Sequence, residues 1–369
     1  MATPKSEIQA LVVESKGNVT IKQVPFPTPG RGDVTVRILA SYVNPNSQEV
    51  LVKGGHFLPG PEFPYVWGCQ AVGRVEATGG DEVYVKKGDL VALDNLIRAR
   101  DIEEVTAIQG LFHKFSPQSK KLLDMYKDGF YAEYTRVPLE NVHVMNEELL
   151  FSKHGYKMED LPQLSRYAVA MGALNRINLK AGETVVIAPS TGKFSGDTVQ
   201  LASAMGATVI AASRNKTILD QLEATVPRVH ALQLTGDVEK DAAGMQQWGA
   251  PDAFVDYTPN MPQVPSYFTS ALQALKPRGR VCLEGAPMGN LEIPYAITMF
   301  KNLEFYFNFM FTRADQQQVV RMAESGALPL GKKGAQTVQT FTLQEWKKAF
   351  EVAEKDSSWG KSTAFVFKQ

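Results

Sequence analysis

A short apolar run followed by a turn and a helical pattern constrains the fold of this chain more than any other stretch. Residues 184–188 (T-V-V-I-A) are rich in β-branched side chains, and the small residues of 189–196 (P-S-T-G-K-F-S-G) end the run. A helical pattern covers 197–205, and a second apolar run occupies 208–212. This strand, helix and strand are the size of a mononucleotide-binding βαβ unit. The sequence therefore predicts an α/β fold with a ligand near the turn.

The turn suits a pyrophosphate, because glycine lets the backbone come close and a helix N-terminus favours negative charge. The strict pattern G-x-G-x-x-G is absent: Gly192 and Gly196 are present, and Ser195 stands where a third glycine is expected. An ordinary α/β loop is the alternative on this pattern alone. Asp197 is interpreted as a complement of the helix dipole.

The end of the second strand favours NADPH over NADH. An acidic residue there would bind the ribose 2′-hydroxyl of NAD, whereas an arginine can hold a 2′-phosphate through two hydrogen bonds. Residues 213–216 read S-R-N-K, and further ligand positions follow the strands at 253–256 and 279–285. The predicted cofactor-binding residues are Thr191, Gly192, Lys193, Phe194, Ser213, Arg214, Asn215, Lys216, Tyr257, Gly285 and Ala286.

Composition excludes several functions. The 39 basic residues balance the 39 acidic ones, so there is no overall electrostatic case for nucleic acid or an anionic membrane. No apolar run is long enough to span a bilayer and the start lacks a hydrophobic signal core, so a cytoplasmic protein is expected. Two cysteines cannot form a disulfide framework or a thiolate-rich zinc site.

The 369 residues suit two domains. Residues 8–91 read as short strands separated by Gly and Pro, which predicts a small β domain. Residues 98–128 read as two amphipathic helices, with Ile102, Val105 and Ile108 in the first and Leu122 and Leu123 in the second. These helices either cover a pocket or are ordinary surface helices. Strands and helices then alternate as in a doubly wound parallel sheet, and the last strands complete the first sheet.

The order of parts resembles the medium-chain dehydrogenase/reductase family across essentially the whole chain. The matching stretches are 43–46 (V-N-P-N), 64–75 (P-Y-V-W-G-C-Q-A-V-G-R-V), 88–92 (G-D-L-V-A), 132–138 (A-E-Y-T-R-V-P), 179–192 (L-K-A-G-E-T-V-V-I-A-P-S-T-G) and 360–366 (G-K-S-T-A-F-V). The resemblance implies a chaperonin-10-like β-rich catalytic domain, 1–165 with 312–369, and a Rossmann NADPH-binding domain, 166–311. Within the family, quinone oxidoreductases and fungal alcohol dehydrogenase-like proteins resemble this chain in their overall organisation.

The resemblance also indicates whether this chain has the residues that bind zinc in the family. The zinc-dependent branch has Cys where this chain has Asn44, Gly-His-Glu where it has Gly68-Cys69-Gln70, and another Cys near Ser165. These replacements leave too few nitrogen and sulfur donors, so no metal is expected. An α,β-unsaturated carbonyl or a quinone is the easier substrate without zinc, because the charge of the added hydride spreads to oxygen.

The predicted catalytic residues are Asn44, Tyr131 and Tyr167. The Asn44 amide could donate to a substrate oxygen, or it could instead cap the turn made with Pro45. The tyrosines are candidate proton donors, or buried core residues. The sequence thus predicts an NADPH-dependent, zinc-independent reductase of enones or quinones.

Three alternative functions stay open: a zinc-free carbonyl reductase or alcohol dehydrogenase, a biosynthetic enzyme turned to a non-redox step, and a redox-silent binding protein.

A homodimer is also expected, because the aromatic run 303–310 (L-E-F-Y-F-N-F-M) reads as an edge strand that needs a partner.

Overall fold

The structure is a computed structural model that describes residues 6–54, 59–113, 116–261, 263–285 and 290–368. Short strands form most of the first part of the chain. They are β1 (Glu7–Ser15), β2 (Asn18–Pro25), β3 (Asp33–Tyr42), β4 (Tyr65–Val66), β5 (Ala71–Thr78), β6 (Leu90–Leu93), β7 (Leu96–Arg98), β8 (Thr106–Ile108), β9 (Phe112–His113), β10 (Tyr134–Pro138) and β11 (Val142–Val144), with helix α1 (Pro117–Met125). The β-rich domain predicted from the sequence is confirmed.

Helices and strands alternate in the middle of the chain. They are α2 (Leu164–Arg176), β12 (Thr184–Ala188), α3 (Lys193–Ala204), β13 (Thr208–Ser213), α4 (Lys216–Thr225), β14 (Val229–Gln233), α5 (Val238–Met245), β15 (Ala253–Asp256), α6 (Ser266–Ala274), β16 (Arg280–Leu283), α7 (Tyr295–Lys301), β17 (Glu304–Phe307) and α8 (Arg313–Ser325). The chain ends with β18 (Thr337–Phe341), α9 (Trp346–Lys355) and β19 (Lys361–Val366). Short 3-10 or π-helical turns cover Gln48–Val52, Leu139–Asn141, Glu148–Lys153, Met158–Gln163, Gly331–Gly334 and Leu343–Glu345.

The middle strands form one parallel sheet in the order β14-β13-β12-β15-β16-β17. The strand order reverses between β12 and β15, which is the switch point where sheets of this kind bind ligands. Alternate residues of β12 face opposite layers: Val185 and Ile187 pack toward α2 and α3, and Val186 and Ala188 pack toward α6. Burial on both faces explains why these strands read as continuous apolar runs. The predicted Rossmann fold is confirmed.

A seven-stranded sheet runs in the order β11-β6-β5-β3-β19-β18, with β10 also paired to β3. The last strand, β19, pairs antiparallel with β3, so the end of the chain completes the sheet that its beginning started, as predicted. The limits proposed for the two domains stay a prediction. Within the described residues no helix is long and apolar enough to cross a membrane.

One predicted element is wrong. Ile102, Val105 and Ile108 have helical spacing, but β7, β8 and β9 form a small antiparallel sheet there, in which Ile108 pairs with Leu96. Ile102 is 49% exposed, whereas Ile108 is buried, so the three do not share an apolar stripe. Only the second predicted helix exists, as α1, capped by the Ser116 hydroxyl.

Candidate active site

The turn after β12 is closed by short polar contacts. Gly192 is the N-cap of α3, and its N–H donates to Ser195 Oγ at 3.1 Å. Ser195 thus closes the turn at the position where a glycine was expected. A Cβ on Gly196 would lie 2.4 Å from the Trp359 ring, so this glycine is needed for close packing. The Thr191 and Ser213 hydroxyls are 2.9 Å apart and join the ends of β12 and β13.

Lys193 is buried rather than solvated. Its Nζ donates to the Lys361 carbonyl in β19, which connects the turn to the seven-stranded sheet. Burial, together with the charge of the nearby Arg166, lowers the pKa of Lys193 to about 7. A pyrophosphate at the N-terminus of α3 would favour the charged form of Lys193.

A cavity of about 620 Å³ lies beside this turn, at the carboxyl end of β13. Thr191, Ser213, Arg214 and Asn215 all line it, so the structure brings these four predicted cofactor residues together. Asp241 also lines the cavity, but its carboxylate accepts from the N–H groups of residues 235 and 236. Asp241 is thus held by its own loop.

Two neighbouring predicted residues have local roles. The Asn215 side chain caps α4 by accepting from the Ile218 N–H at 3.3 Å. Lys216 Nζ pairs with Asp220 at 2.7 Å, four residues along the exposed face of α4. Lys216 therefore points along the helix and is not among the residues that line the cavity.

The ends of β15 and β16 lie on the other side of the switch point. The Tyr257 hydroxyl is 2.6 Å from Thr198 Oγ1 of α3. A Cβ on Gly285 would be 2.5 Å from the Thr258 carbonyl oxygen, so Gly285 allows the two segments to approach closely. Ala286, the other predicted contact, lies outside the described residues. The neighbouring Glu284, which the sequence did not single out, is a partly buried acid with a buried Oε2, and desolvation raises its pKa to about 8.

Asn44 has the turn-capping role proposed for it, and its contact with substrate stays a prediction. Its Oδ1 accepts from the Asn46 N–H at 2.9 Å and so stabilises the turn after β3. This contact fixes the amide and leaves Nδ2 as the group that could donate to a substrate.

The two predicted tyrosines are fully buried, and their hydroxyls are already hydrogen-bonded. Tyr131 donates to the Tyr42 carbonyl at 3.0 Å and accepts from the Asn44 N–H at 3.3 Å. Tyr167 lies 2.6 Å from Gln200 Oε1 and accepts from Gln336 at 2.8 Å. Burial raises the pKa of both phenols, which does not favour proton donation. Their position favours a structural role, and the catalytic role stays a prediction.

The four side chains at the positions of zinc ligands do not fit zinc. Cys69 lies in an apolar cluster with Leu96 and Ile108, and burial raises the pKa of its thiol to about 12. The Ser165 hydroxyl donates to the Leu93 carbonyl at 3.1 Å. Asn44 and Gln70 contribute neutral amides. Across the part of the chain that the structure describes, no three His, Cys, Asp or Glu side chains are grouped as a metal site.

Two small apolar clusters meet at Met310. Met310 packs against the Cys69 cluster and also against Val169 and Phe311. Phe194, at the nucleotide turn, packs against the same second cluster. Met310 has φ of 65°, an uncommon conformation for a residue other than glycine, and the Asn308 side chain donates to its carbonyl at 2.7 Å. Met310 therefore links the Cys69 cluster to the cluster of Val169 and Phe311.

The assignment of Asp197 to the helix dipole was incomplete. Asp197 is buried and accepts from Arg166 Nε at 2.8 Å, so it forms part of a buried ion pair between α3 and α2. The sequence offered no direct signal for this pair, because the two residues are 31 positions apart.

Two family models match the chain. The alcohol dehydrogenase GroES-like domain matches residues 30–147, and the zinc-binding dehydrogenase model matches residues 198–325. Because the two domains occur in this order with the fold described above, the chain belongs to the medium-chain dehydrogenase/reductase family.

Individual relatives are distant. An alcohol dehydrogenase of Moraxella sp. (strain TAE123) is 26% identical over 320 residues, which are 86% of this chain and 88% of that protein. The crystal structure of AibC has a TM-score of 0.78 at 22% identity and covers 99% of this chain and 97% of that chain. A structure from Sinorhizobium meliloti 1021, designated a putative zinc-binding dehydrogenase and bound to NADP, has a TM-score of 0.76 at 18% identity. The match covers 98% of this chain and 100% of that chain. The two structural matches support the fold alone.

Proposed function

We propose that this protein is an NADPH-dependent oxidoreductase that works without zinc and reduces a conjugated carbonyl compound or a quinone. The observation that carries the proposal is the replacement of the zinc-ligand set by Asn44, Cys69, Gln70 and Ser165. The side chains are neutral, Ser165 donates to the Leu93 carbonyl, and Cys69 packs in an apolar cluster. A carbonyl there is polarised by hydrogen bonds rather than by a Lewis acid.

The choice of NADPH rests on the cavity beside β13. Arg214 lines this cavity with Ser213 and Thr191, and the acid in its wall is engaged by its own loop. A guanidinium with hydroxyl groups beside it suits a 2′-phosphate better than a free 2′-hydroxyl. The NADP bound to the Sinorhizobium meliloti 1021 structure is consistent with this choice.

The nicotinamide, when bound, would supply a hydride to the substrate. The chain's own residues bind the cofactor, exclude water and hold the substrate. Met310, Phe311 and Phe194 form an apolar wall that suits a conjugated or aromatic molecule. Asn44 Nδ2 would donate to the substrate oxygen as negative charge develops there, which is the arrangement that stabilises an oxyanion.

A second candidate is a carbonyl reductase or alcohol dehydrogenase that works without zinc. The name of the Moraxella relative favours this reading. The two activities differ in the carbon that receives hydride, which is the β carbon for an enone and the carbonyl carbon for a simple ketone.

Deuterium-labelled NADPH therefore tests the proposal. Purified protein is incubated with the labelled cofactor and a panel of enones, quinones and ketones. With enones we expect deuterium on the carbon β to the carbonyl. Deuterium on a carbinol carbon would replace the proposal by the second candidate, and no NADPH consumption across the panel would favour a non-redox or redox-silent role.

We also propose that the protein is a homodimer. β17 is the edge of the Rossmann sheet, and large apolar side chains beside it are exposed, including Tyr295 (79%), Phe300 (79%) and Phe307 (67%). Pairing of β17 with its two-fold mate would cover both the open strand edge and this apolar surface.

A further inference from the structure

Another cavity, of about 420 Å³, lies where the edge strand β11 meets helix α8 and the loop between β5 and β6. Its wall includes His143 of β11, Tyr84 of the loop, and Arg313 and Arg321 of α8. The described residues that line it are all different from those that line the cavity beside β13. It is therefore separate from the site proposed for the nucleotide.

His143 is a buried side chain in the wall of this cavity. It is only 4% exposed, and neither ring nitrogen has a hydrogen-bond partner within the described part of the chain. His143 pairs with Ala92 of β6, and Ala92 packs in the same cluster as Val320 of α8. Because paired residues on neighbouring strands share a face, the ring lies on the side of the sheet that α8 covers. Buried ring nitrogens of this kind are costly unless something pairs with them.

The charged groups that act on the His143 ring are two cations, Arg313 and Arg98. Arg98 is already engaged, because it donates to Asp94 Oδ2 at 2.9 Å and to the Phe311 carbonyl at 2.6 Å. Arg313 is the first residue of α8 and is exposed. Its guanidinium is therefore the one that a ligand beside His143 could reach.

Acidic side chains also line the cavity, but each has a donor outside it. These contacts are Asp81 with the Gly32 N–H, Glu140 with Arg100, and Glu324 with the Asn146 N–H. Much of the remaining wall is apolar, and Tyr84 in it is 75% exposed. The cavity thus offers a cationic group beside a buried imidazole, together with an apolar surface.

We propose that this cavity is a binding site for a small organic anion, which places a phosphate or carboxylate group against His143 and Arg313 and its apolar part against the wall at Tyr84. A guanidinium can hold either group through two parallel hydrogen bonds. Burial and the charges of Arg313 and Arg98 lower the pKa of His143 to about 3, so the ring is neutral near pH 7. A neutral imidazole supplies one N–H donor to the anion. The proposal does not depend on the cofactor or on the redox reaction.

Two anions with the same aromatic part, phenyl phosphate and benzoate, are the probes. The whole chain is prepared with histidine labelled with ¹³C at Cε1, and the signals of its five histidines are followed by NMR. We expect one or both probes to shift the His143 signal, which is assigned by its absence in His143→Phe. The probe that binds more tightly identifies the preferred anionic group. Benzyl alcohol, which lacks the anion, should leave the signal unchanged.

Two arginine variants test the placement of the anion. Arg313→Gln should weaken binding of the tighter probe by roughly tenfold or more, as expected for loss of a hydrogen bond to a charged group. Arg321→Gln is the matched control, because Arg321 is also exposed in the wall of the cavity but lies about 12 Å further along α8. It should change the dissociation constant less than threefold. Melting temperatures check that both variants remain folded.

Two results would overturn the proposal. Equal weakening by Arg313→Gln and Arg321→Gln would show a general attraction of anions to α8 rather than a site at His143. A His143 signal that does not move at high concentrations of either probe would leave its nitrogens to bound water. If His143→Phe does not fold, the assignment comes from Arg313→Gln, in which the probe-induced shift of the His143 signal alone should shrink.

None of these results bears on NADPH binding or on turnover. The probes are tested without cofactor, and the signal of His143 reports on its own cavity. Failure of this proposal therefore leaves the proposed function as it stands, and failure of the proposed function leaves this site to be tested in the same way.

Discussion

Arg166 in α2 donates from Nε to Asp197 Oδ2 in α3 at 2.8 Å, and both side chains are buried. Gln336, just before β18, donates to the other carboxylate oxygen at 3.2 Å. The Arg166 guanidinium also lies 4.5 Å from the centre of the Tyr42 ring in β3. The pair therefore connects α3 to the seven-stranded sheet.

Arg166→Met should destabilise the protein strongly, because it leaves the Asp197 carboxylate buried without its cation. The expected loss in the free energy of unfolding is about 3–5 kcal/mol, measured by urea titration. The control is Lys87→Met, in an exposed pair with Glu76 at 2.7 Å, where the change should stay below about 1 kcal/mol. A loss for Arg166→Met as small as that of the control would contradict a structural role for the pair.

The strands of the Rossmann sheet could be predicted because each is an apolar run buried on both faces. The segment 253–256, for example, was located to the residue as β15. The first helix predicted in 98–128 was wrong because strand pairing between Leu96 and Ile108 outweighed helical spacing over only seven residues. Helix α7 was missed because none of its residues is buried, so it has no apolar stripe facing a core.

The candidate site also contains some residues whose positions could be predicted from the sequence and others whose positions could not. Arg214 could be predicted to lie at the sheet edge because it directly follows a strand, and it lines the cavity beside β13. Other features depend on how elements far apart in the sequence pack against each other. Examples are the pairing of Arg166 with Asp197 and the Glu284 oxygen that lacks a hydrogen-bond partner among the described residues. A local sequence pattern does not predict such features. Likewise, the sequence could not show that Lys216 turns toward Asp220 rather than toward the cavity.

Arg214→Ala should weaken NADPH binding with little effect on NADH, because the lost group faces the cavity proposed for the 2′-phosphate. A hydrogen bond to a charged group contributes about 1.5–3 kcal/mol, which corresponds to roughly 10–150-fold in the dissociation constant. Lys216→Ala, the matched control, should change binding less than threefold because that side chain pairs with Asp220. Fluorescence titration with each cofactor measures both. Equal affinity of the natural protein for NADPH and NADH would refute the assignment.

The purified protein should contain no stoichiometric zinc, and a chelator should not reduce its activity. The reason is that Asn44, Cys69, Gln70 and Ser165 offer neutral side chains, of which the thiol is buried among apolar groups. Elemental analysis of the purified protein is the measurement. About one zinc per chain, together with inactivation by the chelator, would show that other residues form a metal site.

Light scattering at low micromolar concentration should give twice the 40.6 kDa mass of one chain. Phe307→Asp places a charge on the exposed edge strand β17 and should shift the protein to monomer. Tyr84→Asp changes a side chain that is 75% exposed elsewhere and should leave the dimer intact. A monomeric natural protein would mean that the apolar surface around β17 has another role.

Asn44→Ala should reduce turnover of an enone far more than it reduces NADPH binding. Loss of one preorganised donor to an oxyanion typically costs a hundredfold or more in rate. The alanine variant also loses the acceptor for the Asn46 N–H, so a second variant is needed to separate the two roles.

Asn44→Asp provides that separation. It keeps an oxygen for the Asn46 N–H, so the turn after β3 should persist and the melting temperature should stay close to that of the natural protein. It removes the Nδ2 donor and places negative charge where the substrate oxygen gains charge, so turnover should fall at least as far as in the alanine variant. Retained turnover in Asn44→Asp, with loss only in Asn44→Ala, would assign Asn44 to the turn and leave the substrate oxygen to another donor.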